Sequence, residues 1–411
     1  MGNNINKRTI RVVELFAGVG GFRLGLERAS SNFLTIYANQ WEPGRTKQWA
    51  FECYVSHFGE SENHTNEDIA IVKNEIPQHD LLVGGFPCQD YSVAHGNNAK
   101  GIQGKKGVLW WEIIDIIKNQ EPSLILLENV DRLIRSPHLQ RGRDFGIMLK
   151  TLFDAGYDCE WRVINAADYG HPQRRKRIFI FAYKRNLRVK MFGRFGFKKL
   201  LLGKGFFSDI FPIREVNKNK NIENLDINSS NFSDLVDLSE NFTSNFYNSG
   251  VMIKGVVYST EVIPKKEKET TLREILETGE VDERFFIKES LEKIEYLKSS
   301  KRIERINPIG EPYIYSEGQM FFPDLLDRPA RTMLTSEASI NRSTHVIEDV
   351  ETSRFRFLTP IEAERLNGFD DNWTNTGMPE RFRYFTMGNA LVVPLITTMG
   401  KKIEKLWGRI I

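Results

Sequence analysis

The stretch Arg11-Val12-Val13-Glu14-Leu15-Phe16-Ala17-Gly18-Val19-Gly20-Gly21-Phe22 decides the fold. Its apolar residues run up to Phe16 as in a short buried strand. Glycines then crowd a turn, and Phe22 to Ala29 continues as a helix with Leu24 and Leu26 among its apolar positions. Glycines at such a strand-to-helix turn let a ligand approach backbone N–H groups at the helix N-terminus. A dinucleotide fingerprint would place a third glycine where Arg23 stands, so nicotinamide binding is disfavoured.

The same alternation continues outward. Strand patterns recur at Leu34–Tyr37, Leu81–Val83, Leu124–Leu127, Trp161–Ile164 and Arg177–Phe181, with helical spacing over Val108–Lys118 and Phe145–Phe153. This predicts an α/β fold, a mostly parallel sheet with helices on both faces. After Tyr183 the character changes. Asn217 to Asn248 is rich in Asn, Ser and acidic residues, followed by one possible strand near Val251–Tyr258 and short helices at Leu272–Leu276 and Lys288–Leu297. The reading therefore assigns residues 1–186 to a first, α/β domain and 187–383 to a smaller, irregular second domain. Residues 384–411, apolar and helical, return to the first.

Two domains also follow from 411 residues, of which 40% are hydrophobic and 27% charged. The longest apolar runs are strand-sized, far short of the roughly 20 residues that span a bilayer, so no membrane partner is expected. Met1 to Arg8 lacks the apolar core of a signal peptide. Cys53, Cys88 and Cys159 are too few and scattered for a disulfide framework, and the seven histidines show no ligand-like spacing with them. The expectation is a reduced, cytoplasmic protein without a metal site. Net charge is only +3, but Arg188 to Lys220 concentrates Lys and Arg among Phe192, Phe195, Phe197, Phe206, Phe207 and Phe211. Such a mixture suits a nucleic-acid surface; a solvated basic face over a small core is the commoner arrangement.

Two strand ends carry reactive side chains. Gly84-Gly85-Phe86-Pro87-Cys88-Gln89-Asp90-Tyr91-Ser92 follows Leu81-Leu82-Val83, and Leu124 to Leu127 runs into Glu128-Asn129-Val130. A thiolate is the strongest side-chain nucleophile near neutral pH, and open α/β sheets place ligands at strand ends. Asn39-Gln40-Trp41 sets an indole at another strand end, either to stack on a purine or to fill the core. Val93 to Gly107, basic and glycine-rich beside Cys88, fits a lid that closes over a nucleic acid.

Taken in order, Glu14 to Phe22, Gly85-Phe86-Pro87-Cys88-Gln89, Glu128-Asn129-Val130, Gln173-Arg174-Arg175-Lys176-Arg177, Arg328-Pro329-Ala330-Arg331-Thr332 and Gly388-Asn389-Ala390 resemble the ordered motifs of the DNA (cytosine-5)-methyltransferase family, in its prokaryotic restriction-modification form. The resemblance implies a Rossmann-like methyltransferase fold and methyl transfer from S-adenosylmethionine to carbon 5 of a flipped-out cytosine in a specific duplex sequence, leaving S-adenosylhomocysteine. It implies Cys88 as nucleophile at carbon 6, Glu128 at ring nitrogen 3, and Arg175 and Arg177 beside the base. It also implies a cofactor pocket of Phe16, Ala17, Gly18, Gly20, Gly21, Gln40, Trp41, Asp68, Ile69, Pro87, Leu109 and Asn389. One departure stands out: the family usually has an acid before the tryptophan for the ribose hydroxyls, and here it is Gln40. The implied partners are double-stranded DNA and, functionally, a cognate restriction endonuclease, for a monomeric enzyme. A tRNA cytosine methylase and a catalytically silent DNA-binding relative are the alternatives; the long second domain argues against the first, and intact Cys88, Glu128 and both arginines against the second.

Overall fold

The computed structural model describes residues 9–86, 109–137, 139–227, 235–307, 310–337 and 339–411. Cys88 and Pro87, with the basic segment Val93–Gly107, lie outside the described residues. Contacts divide the chain into two units: residues 1–169, 176–267 and 393–411 form the first, residues 170–175 and 268–392 the second.

The first unit is built on a ten-stranded sheet in the order β3-β2-β1-β4-β5-β7-β6-β9-β10-β8. Its centre is β1 (Ile10–Leu15), β2 (Phe33–Asn39), β3 (His64–Thr65), β4 (Leu81–Gly85) and β5 (Leu124–Val130), all paired in parallel. In β4 and β5 every residue but the last is buried, the pattern of strands covered on both faces. Helices α1 (Gly21–Ala29), α2 (Trp49–Phe58), α3 (Ile69–Val72), α4 (Leu109–Gln120) and α5 (Arg143–Asp154) connect the strands. The chain leaves β1 toward β2 on one side and continues with β4 on the other, so the strand order reverses between β1 and β4. Open α/β sheets bind ligands at such a reversal, beyond the carboxyl ends of the strands. Gly84 makes the pairing close: a Cβ there would lie 2.8 Å from the Leu15 carbonyl oxygen.

Beyond β5 the sheet turns antiparallel, through β6 (Tyr157–Asn165), β7 (Lys176–Lys184), β8 (Ile213–Asp226), β9 (Ser249–Ile253) and β10 (Val256–Pro264). This places residues 187–267 with the first unit, whereas the sequence reading began a second domain at 187. The physical reason is direct pairing of β9 with β6 and a buried set of bonds behind it. Arg162, 2% exposed, donates to the carbonyls of Phe211 and Leu201, both at 2.9 Å, and to Ser249 Oγ at 3.2 Å. Glu160 accepts from the Phe206 N–H at 2.9 Å, and burial pushes its carboxyl up to about 7. The basic-aromatic segment is thus fastened to the sheet. Phe192, Phe206, Phe207 and Phe211 are buried, and Phe206 stacks on Phe181 at 3.8 Å, so four of its six aromatics are core, while Phe195 is exposed and Phe197 half-buried. The tail helix Val393–Trp407 packs against α1. Among the described residues no helix is long and apolar enough to cross a membrane.

The second unit holds two hairpins, β11 (Lys301–Ile306) with β12 (Pro312–Glu317) and β13 (Val346–Glu348) with β14 (Phe355–Phe357), and the helices Pro360–Asn367 and Glu380–Asn389. Its centre is polar. Arg356, fully buried, spans Asp349 and Glu362 at 2.8 Å each, and Glu362 also closes the Thr359 capping box.

Replacing Arg162 with Met leaves two buried carbonyls without their donor, so each loses a bond that water cannot restore. Arg162→Met should lower unfolding free energy by about 2–5 kcal/mol, read by urea denaturation, and open residues 197–211 to limited proteolysis. Wild-type stability would remove the buried arginine as the fastening of that segment.

Candidate active site

The carboxyl ends of β1, β2 and β3 lie side by side and are tied by hydrogen bonds. Phe16 takes a left-handed φ of 54°, which swings the chain out of β1. Gly18 and Gly20 follow at 57° and 86°, and Gly20 caps α1 in a conformation that suits glycine. The Ala17 N–H donates to the Asn39 carbonyl at 3.0 Å, and the Gly18 N–H to Gln40 Oε1 at 2.7 Å. Asn39 Nδ2 reaches Thr65 Oγ1 at 3.0 Å and the Glu67 carbonyl at 2.9 Å. Asp68 caps α3 by accepting from the Ala70 N–H at 3.0 Å, with Ile69 buried behind it. Phe16 to Gly21, Gln40, Trp41, Asp68 and Ile69 therefore share one rim.

Two readings are resolved there. Trp41 is 37% exposed, so it is not core filling. Gln40 spends its amide oxygen bracing the glycine turn, a bond that a carboxylate at this position could also accept. Leu109 opens α4 and packs on the core. Asn389 ends the helix Glu380–Asn389 in the second unit and is exposed.

Glu14, which carries no role in the sequence reading, lies beneath this rim. It is fully buried, accepts from Tyr54 Oη at 3.3 Å and the Arg23 N–H at 3.4 Å, and its carboxyl is pushed up to about 8, chiefly by burial. The available signal was an acid interrupting an apolar strand.

At the next strand ends, Gly85 of β4 lies opposite Glu128 of β5, and a Cβ on Gly85 would sit 3.2 Å from Glu128 Oε2. The carboxylate thus overlies the exit of β4, three residues before Cys88. Arg177, at the start of β7, places Nε 2.8 Å from Glu128 Oε1, with the two side chains 17% and 11% exposed. Asn129 Nδ2 donates to the Phe86 carbonyl at 2.8 Å while its Oδ1 accepts from the Val130 N–H at 2.8 Å. That clamp fixes the backbone two residues ahead of Cys88. The sequence reading quoted Asn129 without a role, and nothing in residue order reveals the bond.

Arg175 is placed otherwise than expected. It is 1% exposed within the second unit, where Nη1 donates to the Met333 carbonyl at 3.2 Å and Nη2 to that of Gly388 at 2.9 Å. Its guanidinium is occupied by backbone, so its described role is to position chain. Neighbouring motif residues join it: Gln173 Oε1 accepts from the Met333 N–H at 3.1 Å, Thr332 Oγ1 donates to the Arg174 carbonyl at 2.6 Å, and Arg174 N–H reaches Ala330 at 2.8 Å. Gly388 belongs to the same knot, since a Cβ there would lie 2.4 Å from the Thr335 nitrogen.

The family profile described as C-5 cytosine-specific DNA methylase matches residues 10–405. The chain belongs to that family. It is a DNA cytosine-5 methyltransferase. Type II methyltransferase M.Sau3AI of Staphylococcus aureus is 53% identical over 406 residues, 97% of this chain and 96% of that protein. M.HhaI of Haemophilus parahaemolyticus is 33% identical over 184 residues, 44% of this chain and 52% of its own. Among solved structures, the Dnmt2 methyltransferase of S. pombe aligns with 97% of this chain and 98% of its own at TM-score 0.61 and 16% identity, a likeness of fold alone.

The buried Glu14 of this methylase makes a pH prediction. Its folded-state carboxyl keeps a proton up to about 8, whereas the unfolded side chain loses it near its ordinary value. Between those values the unfolded state binds fewer protons, so wild-type stability falls as pH rises through the window. Glu14→Gln removes that term. Urea unfolding should show the variant gaining on wild type by more than about 1 kcal/mol between about pH 5 and pH 8. A difference that stays flat with pH would mean Glu14 ionises normally.

Proposed function

We propose that this methylase moves a methyl group from S-adenosylmethionine to carbon 5 of a cytosine flipped out of a specific duplex sequence, through a covalent Cys88–carbon 6 adduct. The observation that carries the reading is the Arg177–Glu128 pair beside the clamped exit of β4, with Cys88 three residues on. A base inside a duplex is out of a cysteine's reach, so extrusion comes first. The Cys88 thiolate then adds at carbon 6. Glu128, held by Arg177, faces ring nitrogen 3 and supports the protonated form, so negative charge does not build up on the ring. Arg177 both orients that carboxyl and supplies cationic charge near the base. Carbon 5, now an enamine carbon, takes the methyl group; loss of its proton and expulsion of the thiolate restore the ring and Cys88.

The cofactor supplies an electrophilic methyl on a sulfonium. The rim suits it: among the described residues, a Cβ on Gly18 would meet nothing within 4 Å. Trp41 and Phe16 offer ring faces for the adenine, Gln40 an amide N–H₂ for the ribose hydroxyls, and Asp68 and Ile69 an edge contact. Pro87 and Leu109 complete the proposed lining within the first unit. Likeness to a type II methyltransferase favours a prokaryotic modification enzyme that shares its site with a restriction endonuclease, and we propose that it works as a monomer in the cytoplasm.

A hydroxyl is a far weaker nucleophile than a thiolate, so Cys88→Ser should lower tritium transfer from labelled cofactor to DNA by at least about a thousandfold. Cofactor binding by calorimetry should persist. Activity within about tenfold of wild type would end the covalent mechanism.

Sequence choice we assign to the second unit, since phosphate contacts position a protein on DNA while base-edge contacts specify. Exchanging residues 276–327 for the matching stretch of a family member with another site should change which cytosine bisulfite mapping reports. An active chimera that keeps the parent site would return recognition to the first unit.

A further inference from the structure

We infer that the β11–β12 ribbon is the element that enters the major groove, and that Arg302, Glu304, Ile314 and Ser316 on one of its faces read base edges; this rests on the second unit being the recognition unit. The ribbon has no core of its own. Of its paired residues only Lys301, Tyr315 and Glu317 are even half-buried, while Ile303, Ile306, Tyr313 and Ile314 are 38%, 74%, 44% and 60% exposed. An isolated two-stranded hairpin is marginal in water, and apolar side chains held out on one are characteristic of a surface that meets a partner.

Its root, by contrast, is fastened. Arg342 Nη1 donates to the carbonyls of Leu297 at 2.8 Å and Ser299 at 3.0 Å and pairs with Glu317 at 3.3 Å, while Nη2 reaches the Gly318 carbonyl. Just beneath, Lys298 is 1% exposed, donates to the Thr344 carbonyl at 2.7 Å and pairs with Asp324 at 3.4 Å. Asp324 also accepts from Arg331 Nε at 2.6 Å and Nη2 at 3.0 Å, which binds the root to the Arg328–Thr332 motif. A stiff base with an exposed shaft transmits position without using the shaft's own side chains.

The partner is duplex DNA. The major groove admits a two-stranded antiparallel ribbon, and each strand here has six residues, a length of roughly 20 Å. Glu317 is neutralised by Arg342, which leaves Lys301, Arg302 and Arg305 against Glu304 along the paired residues. The two faces differ. On one, Lys301 sits 4.1 Å over the Tyr296 ring and Arg305 3.9 Å over Tyr315, so both cations are already engaged. On the other, the register aligns Arg302 with Ser316 and Glu304 with Ile314. Among the described residues Arg302 and Glu304 make no ion pair. An arginine for guanine, a carboxylate for the cytosine amino group and an apolar side chain for the thymine methyl are the chemistry that base edges present there.

The test uses the full chain and the site that bisulfite mapping finds for the wild type. Arg302→Ala and Glu304→Gln should each lower methylation of that site about 10- to 100-fold and relax selectivity at one or two of its positions. Cofactor affinity and melting temperature should not change. In hydrogen exchange, residues 301–317 should gain protection from a cognate duplex well beyond that from an unrelated one. Wild-type rate and selectivity in both variants overturn the assignment, and it then falls alone if exchanging residues 276–327 still switches the site. If that exchange leaves the site unchanged, the recognition unit itself is wrong. A loss equal on all sequences with a shallower salt dependence would make Arg302 a phosphate contact and overturn base reading. Dimerisation by sedimentation, abolished by Ile306→Ser or Ile314→Ser, would assign the ribbon to a second copy of the chain instead.

Discussion

The parallel pairing of β4 between β1 and β5 is the constraint on which the rest depends. Leu15 is level with Gly84, and Gly85 with Glu128, so β1 and β4 end within a residue of each other beside the carboxylate, and β5 runs two residues further. Everything proposed for the chemistry is measured from those ends: the glycine turn after β1, the cysteine segment after β4, the carboxylate at the end of β5. A one-residue slip in β4 would turn its side chains to the opposite face and carry Phe86 away from Asn129. Gly84 permits the close approach to Leu15, and the Asn129 bond to Phe86 then fixes where the chain leaves the sheet.

Charge buried elsewhere works to the same end of placing chain. Arg162, Glu160 and Arg356 are almost wholly removed from solvent, yet each meets carbonyls, N–H groups or carboxylates at hydrogen-bonding distance. Such groups add little net stability compared with well-packed apolar residues. What they contribute is direction, since a guanidinium bonds only along its fork, whereas apolar packing tolerates sliding. Glu160 and Arg162 sit in β6 and Arg356 in β14, and from those strands they reach out to segments that no ladder holds, such as Leu201, Phe206 and Phe211.

This division explains what was legible in sequence. The strands β1, β2 and β4 to β7 and the helices α1, α4 and α5 are visible because burial demands continuous apolar runs or a helical stripe, whereas the two-residue β3 is too short to show either. β8 was read as irregular: its pairing with β10 is broken by register shifts, so Ile213, Val216, Ile222 and Leu225 lose the period of two. One strand was read where β9 and β10 form a hairpin, because the turn is Lys254-Gly255, with Lys254 in a left-handed conformation (φ 51°) where Asn or Asp would have announced it. At the site, residue types were legible and partners were not. Glu128 and Arg177 could be named, but the Asn129 clamp, the Gln40 brace and the Glu14 burial depend on residues brought together from distant positions.

The fate of the two arginines carries the argument furthest. Arg175 and Arg177 are two residues apart, and the boundary between the compact units passes between them. Arg175 turns to Met333 and Gly388 and holds the knot in which the Gln173, Arg331 and Gly388 motifs bond one another. Arg177 opens β7 and meets Glu128. One short motif therefore contains a structural arginine for one unit and a catalytic candidate for the other, joined by Lys176. The order of motifs along the chain is then a consequence of connectivity: the strand that delivers a cation to the carboxylate must be the same segment that emerges from the second unit. Arg175 is thereby committed to the backbone of its own unit, and Arg177 to the carboxylate of the other.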